Sequence, residues 1–185
     1  GDWQPPAGQS LPRAAIAAAT GSSGTRVYLL DRPGAPQTSI LAGQLLPSSQ
    51  APDRIELNTA NDVLGGTFTS RINMNLREDK HWSYGARSSL TETRGQRPWL
   101  LSAPVQTDKT VESIQEIRRE LADLLATRTI TAEEFAKVRN RDVRALSGQY
   151  ETNAAVSSAI GDIVRFGRPD DYVRTLRARL QGQTD

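Results

Sequence analysis

Arg77 and Tyr84 are the residues of this chain whose types and spacing are best suited to chemistry. Six residues separate them within the segment NDVLGGTFTSRINMNLREDKHWSYGAR, in a predicted helix-turn-strand setting. A guanidinium and a phenol both donate hydrogen bonds, and together they could hold a peptide carbonyl. From residue types alone, a structural interpretation is favoured. Arg77 is then a cation at a helix C-terminus, stabilised by the helix dipole, and Tyr84 is an ordinary strand aromatic.

The single histidine, His81, limits the other kinds of catalytic site, because the chain also contains no cysteine. A site with two histidine ligands cannot be built from this chain, which excludes a zinc peptidase centre within it. A Ser-His-Asp triad would have to use His81. Since His81 lies between Lys80 and Trp82 in a predicted turn, we expect it to be an exposed loop residue.

Two further patterns favour structural roles. Gly65 and Gly66 lack the Gly-Lys-Ser/Thr context of a phosphate loop, and we expect them to end a helix through a residue with positive φ. The acidic pairs 78–79 and 170–171 have no alternating ligand spacing, so metal binding is not predicted for them. We expect these pairs at helix ends and in turns.

The composition is that of one globular domain. The chain has 185 residues, 24% of them charged, and its 23 basic and 21 acidic side chains leave a net charge of +2. So small an excess does not favour a nucleic acid or an anionic membrane as partner. No apolar run reaches the about 18 residues of a membrane span, and no signal peptide is predicted. Without cysteine, both cytoplasm and periplasm are compatible locations, and the periplasm is favoured for a bacterial protein.

The elements that must position these residues can be predicted from periodicity and turn signals. Residues 1–24, rich in proline, glycine and small residues, are predicted to be a linker from a preceding domain, and residues 25–185 one domain. The first two predicted strands are joined by a Pro-Gly turn and the last two form a hairpin. These strands are predicted at 26–31, 37–47, 82–92 and 98–107.

Helical spacing covers most of the rest of the chain. A capping box, T-x-x-E, opens one helix at Thr131 and Glu134 and explains the neighbouring acidic residues without chemistry. With the strand pairs, these helices predict an α+β fold, in which helices cover one face of a mainly antiparallel sheet. The helices are predicted at 52–66, 70–77, 109–127, from 131 onward, 153–166 and 170–180.

Several unrelated short motifs occur in order along the chain: 31–37 (DRPGAPQ), 60–66 (ANDVLGG), Phe68, Ser70-Arg71, Leu76-Arg77-Glu78, Tyr84-Gly85, Val105-Gln106-Thr107, Lys109-Thr110 and Glu151-Thr152-Asn153. In this order and spacing, the sequence from Val27 to about Tyr172 resembles the C-terminal, inactive domains of the pitrilysin or insulinase family of zinc metallopeptidases.

The resemblance implies a clamshell enzyme of which this chain is the non-catalytic half. The implied cofactor, zinc, is held by an H-x-x-E-H motif in an N-terminal domain or a separate catalytic subunit, and not in this chain. That half and a peptide substrate are the implied partners. In the family, an Arg and a Tyr at this spacing hydrogen-bond the peptide backbone near the scissile bond, and Arg77 and Tyr84 occupy those positions.

The sequence departs from the family pattern between those two residues. His81-Trp82-Ser83 replaces a commoner glycine, apolar residue and small residue before the tyrosine, so the local loop geometry is not carried over. Relatives of this fold also serve as non-proteolytic core subunits of respiratory and processing complexes. A structural role is therefore the alternative function, and an independent hydrolase that uses His81 is a third.

Overall fold

The computed structural model describes residues 15–21 and 24–183, and the predicted linker falls mostly outside them. The strands in this part of the chain form one antiparallel sheet in the order β1-β3-β2. Their bounds are β1 Gln37–Ser48, β2 Arg87–Leu90 and β3 Gln96–Gln106. The central strand β3 pairs with β1 along nearly its whole length and with β2 from Trp99 to Ser102.

Helices follow β1 and β3 in the chain, and the α+β class is as predicted. Their bounds are α1 Arg54–Asn61, α2 Arg71–Asn73, α3 Thr110–Leu125, α4 Ala132–Ala145, α5 Asn153–Phe166 and α6 Tyr172–Gln181. π-Helical turns extend α1 over Asp62–Gly66 and α2 over Met74–Asp79, and a 3-10 turn, Thr107–Lys109, leads into α3. None of the helices in the described residues has the length and apolar character needed to cross a bilayer.

Alternation along β3 places the core on one face of the sheet. Leu101, Ala103 and Val105 are at most 1% exposed, whereas Leu100, which directly precedes them, is 50% exposed. Successive strand residues point to opposite faces, so the buried set faces the helices. The core is completed by residues of the first three helical segments and of the loop before β2: Leu64, Ile72, Leu76, Ala86 and Ile117.

The predicted strand at 26–31 was wrong. The segment forms neither helix nor strand, and its residues Val27, Tyr28, Leu29 and Leu30 are 82–88% exposed. The Pro-Gly turn after it is present, since the N–H of Ala35 donates to the carbonyl of Arg32 at 3.1 Å. A strand also needs a neighbour to pair its backbone groups, and no described residue pairs with this segment.

Two other elements differ from their sequence patterns. The strand predicted at 82–92 is only four residues long, Arg87–Leu90, because the backbone N–H groups of Trp82 and Ser83 bond to the end of the α2 segment. In α3, the apolar stripe predicted to face the sheet begins and ends in solvent. Val111 is 64% exposed and Leu125 is 84% exposed, so neither end of the stripe is buried against the sheet.

Gly65 and Gly66 end the first helical segment as predicted, but not for the predicted reason. Neither of them has a positive φ. A Cβ at Gly65 would lie 2.5 Å from the Ser88 hydroxyl and 3.1 Å from the Ser88 backbone nitrogen. Glycine is therefore required at position 65 because the first helical segment packs directly against β2.

The predicted capping box is present, and its carboxylate has a second role. The N–H of Glu134 donates to the Thr131 hydroxyl at 3.2 Å, and the N–H of Thr131 donates to Glu134 at 2.9 Å. The buried guanidinium of Arg71 donates to the same carboxylate at 2.7 and 2.6 Å. These bonds from Arg71 lower the pKa of Glu134 to about 2. The pair joins α2 to α4.

We expect Glu134→Gln to destabilise the domain by about 2 kcal/mol at pH 7 and to have little effect near pH 2. The pKa of Glu134 is about 2 in the folded chain against an ordinary 4.5. Its stabilising effect is therefore complete above pH 4.5 and is lost as the pH falls through 2. Thermal unfolding measured from pH 7 to pH 2 tests this, with the exposed neighbour Glu133→Gln as control. Equal changes in Tm for both variants at every pH would contradict it.

Candidate functional site

Arg77 lies in the π-helical turn that ends the α2 segment, and its side chain is 39% exposed. The guanidinium carbon stacks 4.5 Å from the centre of the Phe68 ring, and Nε lies 3.2 Å from the Glu78 carboxylate. No other described residue accepts a hydrogen bond from its Nη atoms. The stacked ring orients the guanidinium and leaves those N–H groups available to a ligand.

Tyr84 is almost fully exposed, at 86%, and its hydroxyl has no hydrogen-bond partner among the described residues. It lies in the loop between the α2 segment and β2, and not in the predicted strand. At this exposure the ring is not part of the packed core, and its apolar surface is in contact with water. The phenol is therefore free to donate to a molecule that approaches this loop.

The loop that carries Tyr84 is held in place by bonds on both sides of it. Before it, the N–H groups of Trp82 and Ser83 both donate to the carbonyl of Leu76, at 2.9 and 3.2 Å. The Ser83 hydroxyl donates to the Pro104 carbonyl at 2.5 Å, and the N–H of Gly85 donates to that hydroxyl at 3.1 Å. The side chain of Tyr84 thus projects into solvent from a well-anchored backbone.

The same bonds bring the backbones of Arg77 and Tyr84 together at one place on the surface, the Arg77–Tyr84 edge. Arg77 directly follows Leu76, and Tyr84 directly follows Ser83, so the Leu76–Ser83 hydrogen bond holds their backbones close together. Beyond Tyr84, the N–H of Ala86 donates to the buried Asn73 side chain at 2.9 Å. The structure therefore holds the backbones of the two predicted site residues close together. No hydrogen bond links their side chains in the described chain.

His81 is an exposed loop residue, as predicted. Its φ of +56° is in the left-handed region that favours glycine, the residue that the family resemblance implies is commoner at this position. Ring atom Nδ1 lies 3.0 Å from the carbonyl oxygen of Arg77. No carboxylate or hydroxyl of the described residues bonds to the ring, so nothing in this part of the chain completes a triad.

Two aromatic residues of this edge were not selected as site residues from the sequence. Phe68 is 61% exposed beneath Arg77, and the Trp82 ring lies 5.6 Å from the Lys80 ammonium and 6.0 Å from that of Lys109. The only sequence signal for Phe68 was its place in a family motif. Exposure of an aromatic residue depends on tertiary packing, which residue type alone does not reveal.

The acidic pairs lie where they were predicted, at helix ends and turns. Glu78 pairs with Arg77, Asp79 ends its helical turn, and Asp171 occupies the N-cap position of α6 without a side-chain capping bond. In residues 15–21 and 24–183, no group of three or more His, Cys, Asp and Glu side chains could hold a metal ion. The Arg77–Tyr84 edge offers a ligand hydrogen-bond donors, positive charge and aromatic surface.

The fold is shared with solved structures of inactive peptidase domains. A peptidase M16 inactive domain from Pseudomonas fluorescens has the same fold, with a TM-score of 0.73 and 22% identity over 80% of this chain and 35% of that one. An inactive peptidase domain from Bordetella parapertussis matches with a TM-score of 0.67 and 19% identity, over 85% of this chain and 84% of that one.

This chain belongs to the family described as "Peptidase M16 inactive domain", whose sequence profile matches residues 1–141. The chain spans about a third of the Pseudomonas protein, 35% of its length. A chain of complex III2 from Candida albicans also shares the fold, with a TM-score of 0.65 and 15% identity over 82% of this chain and 38% of that one. No curated protein matches the sequence.

Proposed function

We propose that this chain is the non-catalytic, substrate-binding domain of a zinc-dependent endopeptidase. In this proposal it closes over a zinc-bearing half, and Arg77 and Tyr84 hydrogen-bond the backbone of the bound peptide. The observation that carries the proposal is the exposed, unpartnered phenol of Tyr84 on a loop bonded at both ends. Membership of the M16 inactive-domain family supports the peptidase context.

The chemistry of such donors is well suited to peptide hydrolysis. The zinc centre of the other half would supply an activated water as nucleophile. As the peptide carbonyl is attacked, negative charge develops on its oxygen, and the Tyr84 O–H and the Arg77 N–H groups can donate to it. The anchored backbone that carries both donors needs little reorganisation during the reaction, and closure of the two halves strengthens the donors by excluding water.

The experiment that tests this proposal measures hydrolysis of a fluorogenic peptide by this chain, by its zinc-bearing half and by their mixture. We expect activity only when both halves are present, and we expect a chelator to abolish it. Activity of this chain alone that disappears in His81→Ala would overturn the proposal in favour of an independent hydrolase. A stable but inactive complex of the two halves would favour a structural role.

A non-proteolytic structural subunit is the second candidate function. The observation that favours it is the fold shared with a chain of the complex III2 assembly, although 15% identity carries the fold alone. A structural subunit would need neither the Tyr84 hydroxyl nor the Arg77 guanidinium. Substitutions of both residues that leave assembly intact and abolish hydrolysis would therefore separate the two functions.

A further inference from the structure

Three arginines surround one carboxylate near the end of the sheet that is far from Tyr84. Arg54 Nε lies 3.0 Å from each oxygen of Glu92, and Arg168 Nη2 lies 3.0 Å from one of them. Arg97 Nη1 lies 3.8 Å from the other oxygen. Ser83 bonds to β3 at Pro104, near the opposite end of a strand that extends about 3.3 Å per residue, so this arginine cluster is a separate region.

The cluster has more positive charge than its one carboxylate can neutralise. Burial raises the pKa of Glu92, but hydrogen bonds with Arg54 and Ser49 and the charges of Arg54 and Arg168 together keep that pKa below its ordinary value. Glu92 is therefore the one described carboxylate in contact with the three guanidinium groups, and Asp53 acts on Arg97 only through its charge. Arg97 is fully buried, and its Nε and Nη2 atoms have no hydrogen-bond partner in the described chain. Only Nη1 of Arg97 has partners, Asn58 at 3.0 Å and Glu92 at 3.8 Å, and a buried guanidinium that is only partly paired is unfavourable.

A cavity of about 220 Å³ adjoins this cluster, between the turn that follows β1 and the junction of α5 with α6. Arg54, Arg168 and Arg179 line it, together with Tyr172. Arg54 donates to the Tyr172 hydroxyl at 2.7 Å, and the guanidinium carbons of Arg168 and Arg179 lie 4.7 and 5.2 Å from the centre of its ring. Arg179 has no carboxylate partner among the described residues.

We propose that this cavity binds a small oxyanion, which compensates the excess charge of the arginine cluster. Guanidinium groups bind carboxylate and phosphate through paired N–H donors, so an anion with at least two oxygens fits the lining. The volume is several times the about 30 Å³ that a water molecule occupies in the liquid, which leaves room for phosphate or a carboxyl group. The inference is independent of the proposed peptidase function.

The first test measures thermal unfolding of the chain in sodium phosphate and in sodium chloride at equal ionic strength and pH 7. We expect phosphate to raise Tm by about 3 °C at saturation relative to chloride. A short peptide with a free carboxyl terminus, compared with the same peptide amidated, tests the carboxylate source. A rise with the free-carboxyl peptide alone identifies a peptide terminus, and a rise with phosphate alone identifies free phosphate. If neither anion raises Tm above its control, the proposal is wrong.

A pair of variants on α6 tests the location of the site. Arg179→Gln removes a cavity-lining guanidinium without removing a partner of Glu92. Arg177→Gln makes the same change of charge on the same helix at an exposed position outside the cavity lining. We expect Arg179→Gln to raise the anion concentration needed for half of the Tm rise at least tenfold. We expect Arg177→Gln to leave that concentration unchanged. If both variants need the same anion concentration for the Tm rise, the anion does not bind in this cavity.

Discussion

Tyr84→Phe is expected to lower kcat/KM of the assembled peptidase by about 100-fold, the effect of losing one donor to a developing oxyanion. The substitution removes only the hydroxyl of a side chain that is 86% exposed, so the fold of the domain should not change. The measurement is steady-state hydrolysis by this chain combined with its zinc-bearing half. If the hydroxyl acts in the transition state, the loss will be in kcat and KM will change little.

Tyr28→Phe is the matched control for that experiment. Tyr28 is 82% exposed, undergoes the same loss of a hydroxyl, and belongs to the segment 26–31 and not to the Arg77–Tyr84 edge. We expect the control to keep the activity of the unmodified chain. Equal activity of both variants would mean that the Tyr84 hydroxyl does not take part in hydrolysis. That result would favour the structural-subunit function.

Gly65→Ala is expected to destabilise the domain by about 2 kcal/mol, the usual cost of adding a group to a closely packed contact. The new Cβ would lie 2.5 Å from the Ser88 hydroxyl, which is itself committed to a 2.7 Å hydrogen bond with Asn61. Either β2 moves away from the first helical segment or the buried bond between Ser88 and Asn61 is lost. Equilibrium unfolding in urea, followed by circular dichroism, measures the change.

We expect the same substitution at Gly161 to stabilise the domain, in contrast to Gly65→Ala. Gly161 lies within α5, and a Cβ placed there meets no atom within 4 Å. Alanine loses less backbone entropy than glycine on helix formation, so this variant should gain about 0.5–1 kcal/mol. A gain in stability at both positions would contradict the assignment of Gly65 to a close helix–strand contact.

Sequence reasoning was most successful where the signal is local. The bounds of α5, Asn153–Phe166, agree with the predicted 153–166, and the capping box at Thr131 and Glu134 forms as expected. The long strands β1 and β3 also lie close to their predicted ranges. Helical periodicity, strand alternation and helix caps depend on neighbours within a few residues, so they can be recognised without the fold.

The segment 26–31 and the short β2 strand show where local signals are not sufficient. Residues 26–31 have the composition of a strand, but no described strand lies beside them to pair their backbone groups. In the loop before β2, backbone donors bond to Leu76 and thereby shorten the predicted strand. Strand formation depends on partners that are distant in sequence, and no periodic pattern identifies those partners.

The sequence by itself determined the α+β class, most helices, the family resemblance and the choice of Arg77 and Tyr84. Only the tertiary structure placed these two residues at one edge, through the Leu76–Ser83 bond, and left Tyr84 exposed. It also gathered the arginines of α1, β3 and the α5–α6 junction around Glu92. The physical reason is the same in both regions: charge balance and exposure depend on which distant segments meet.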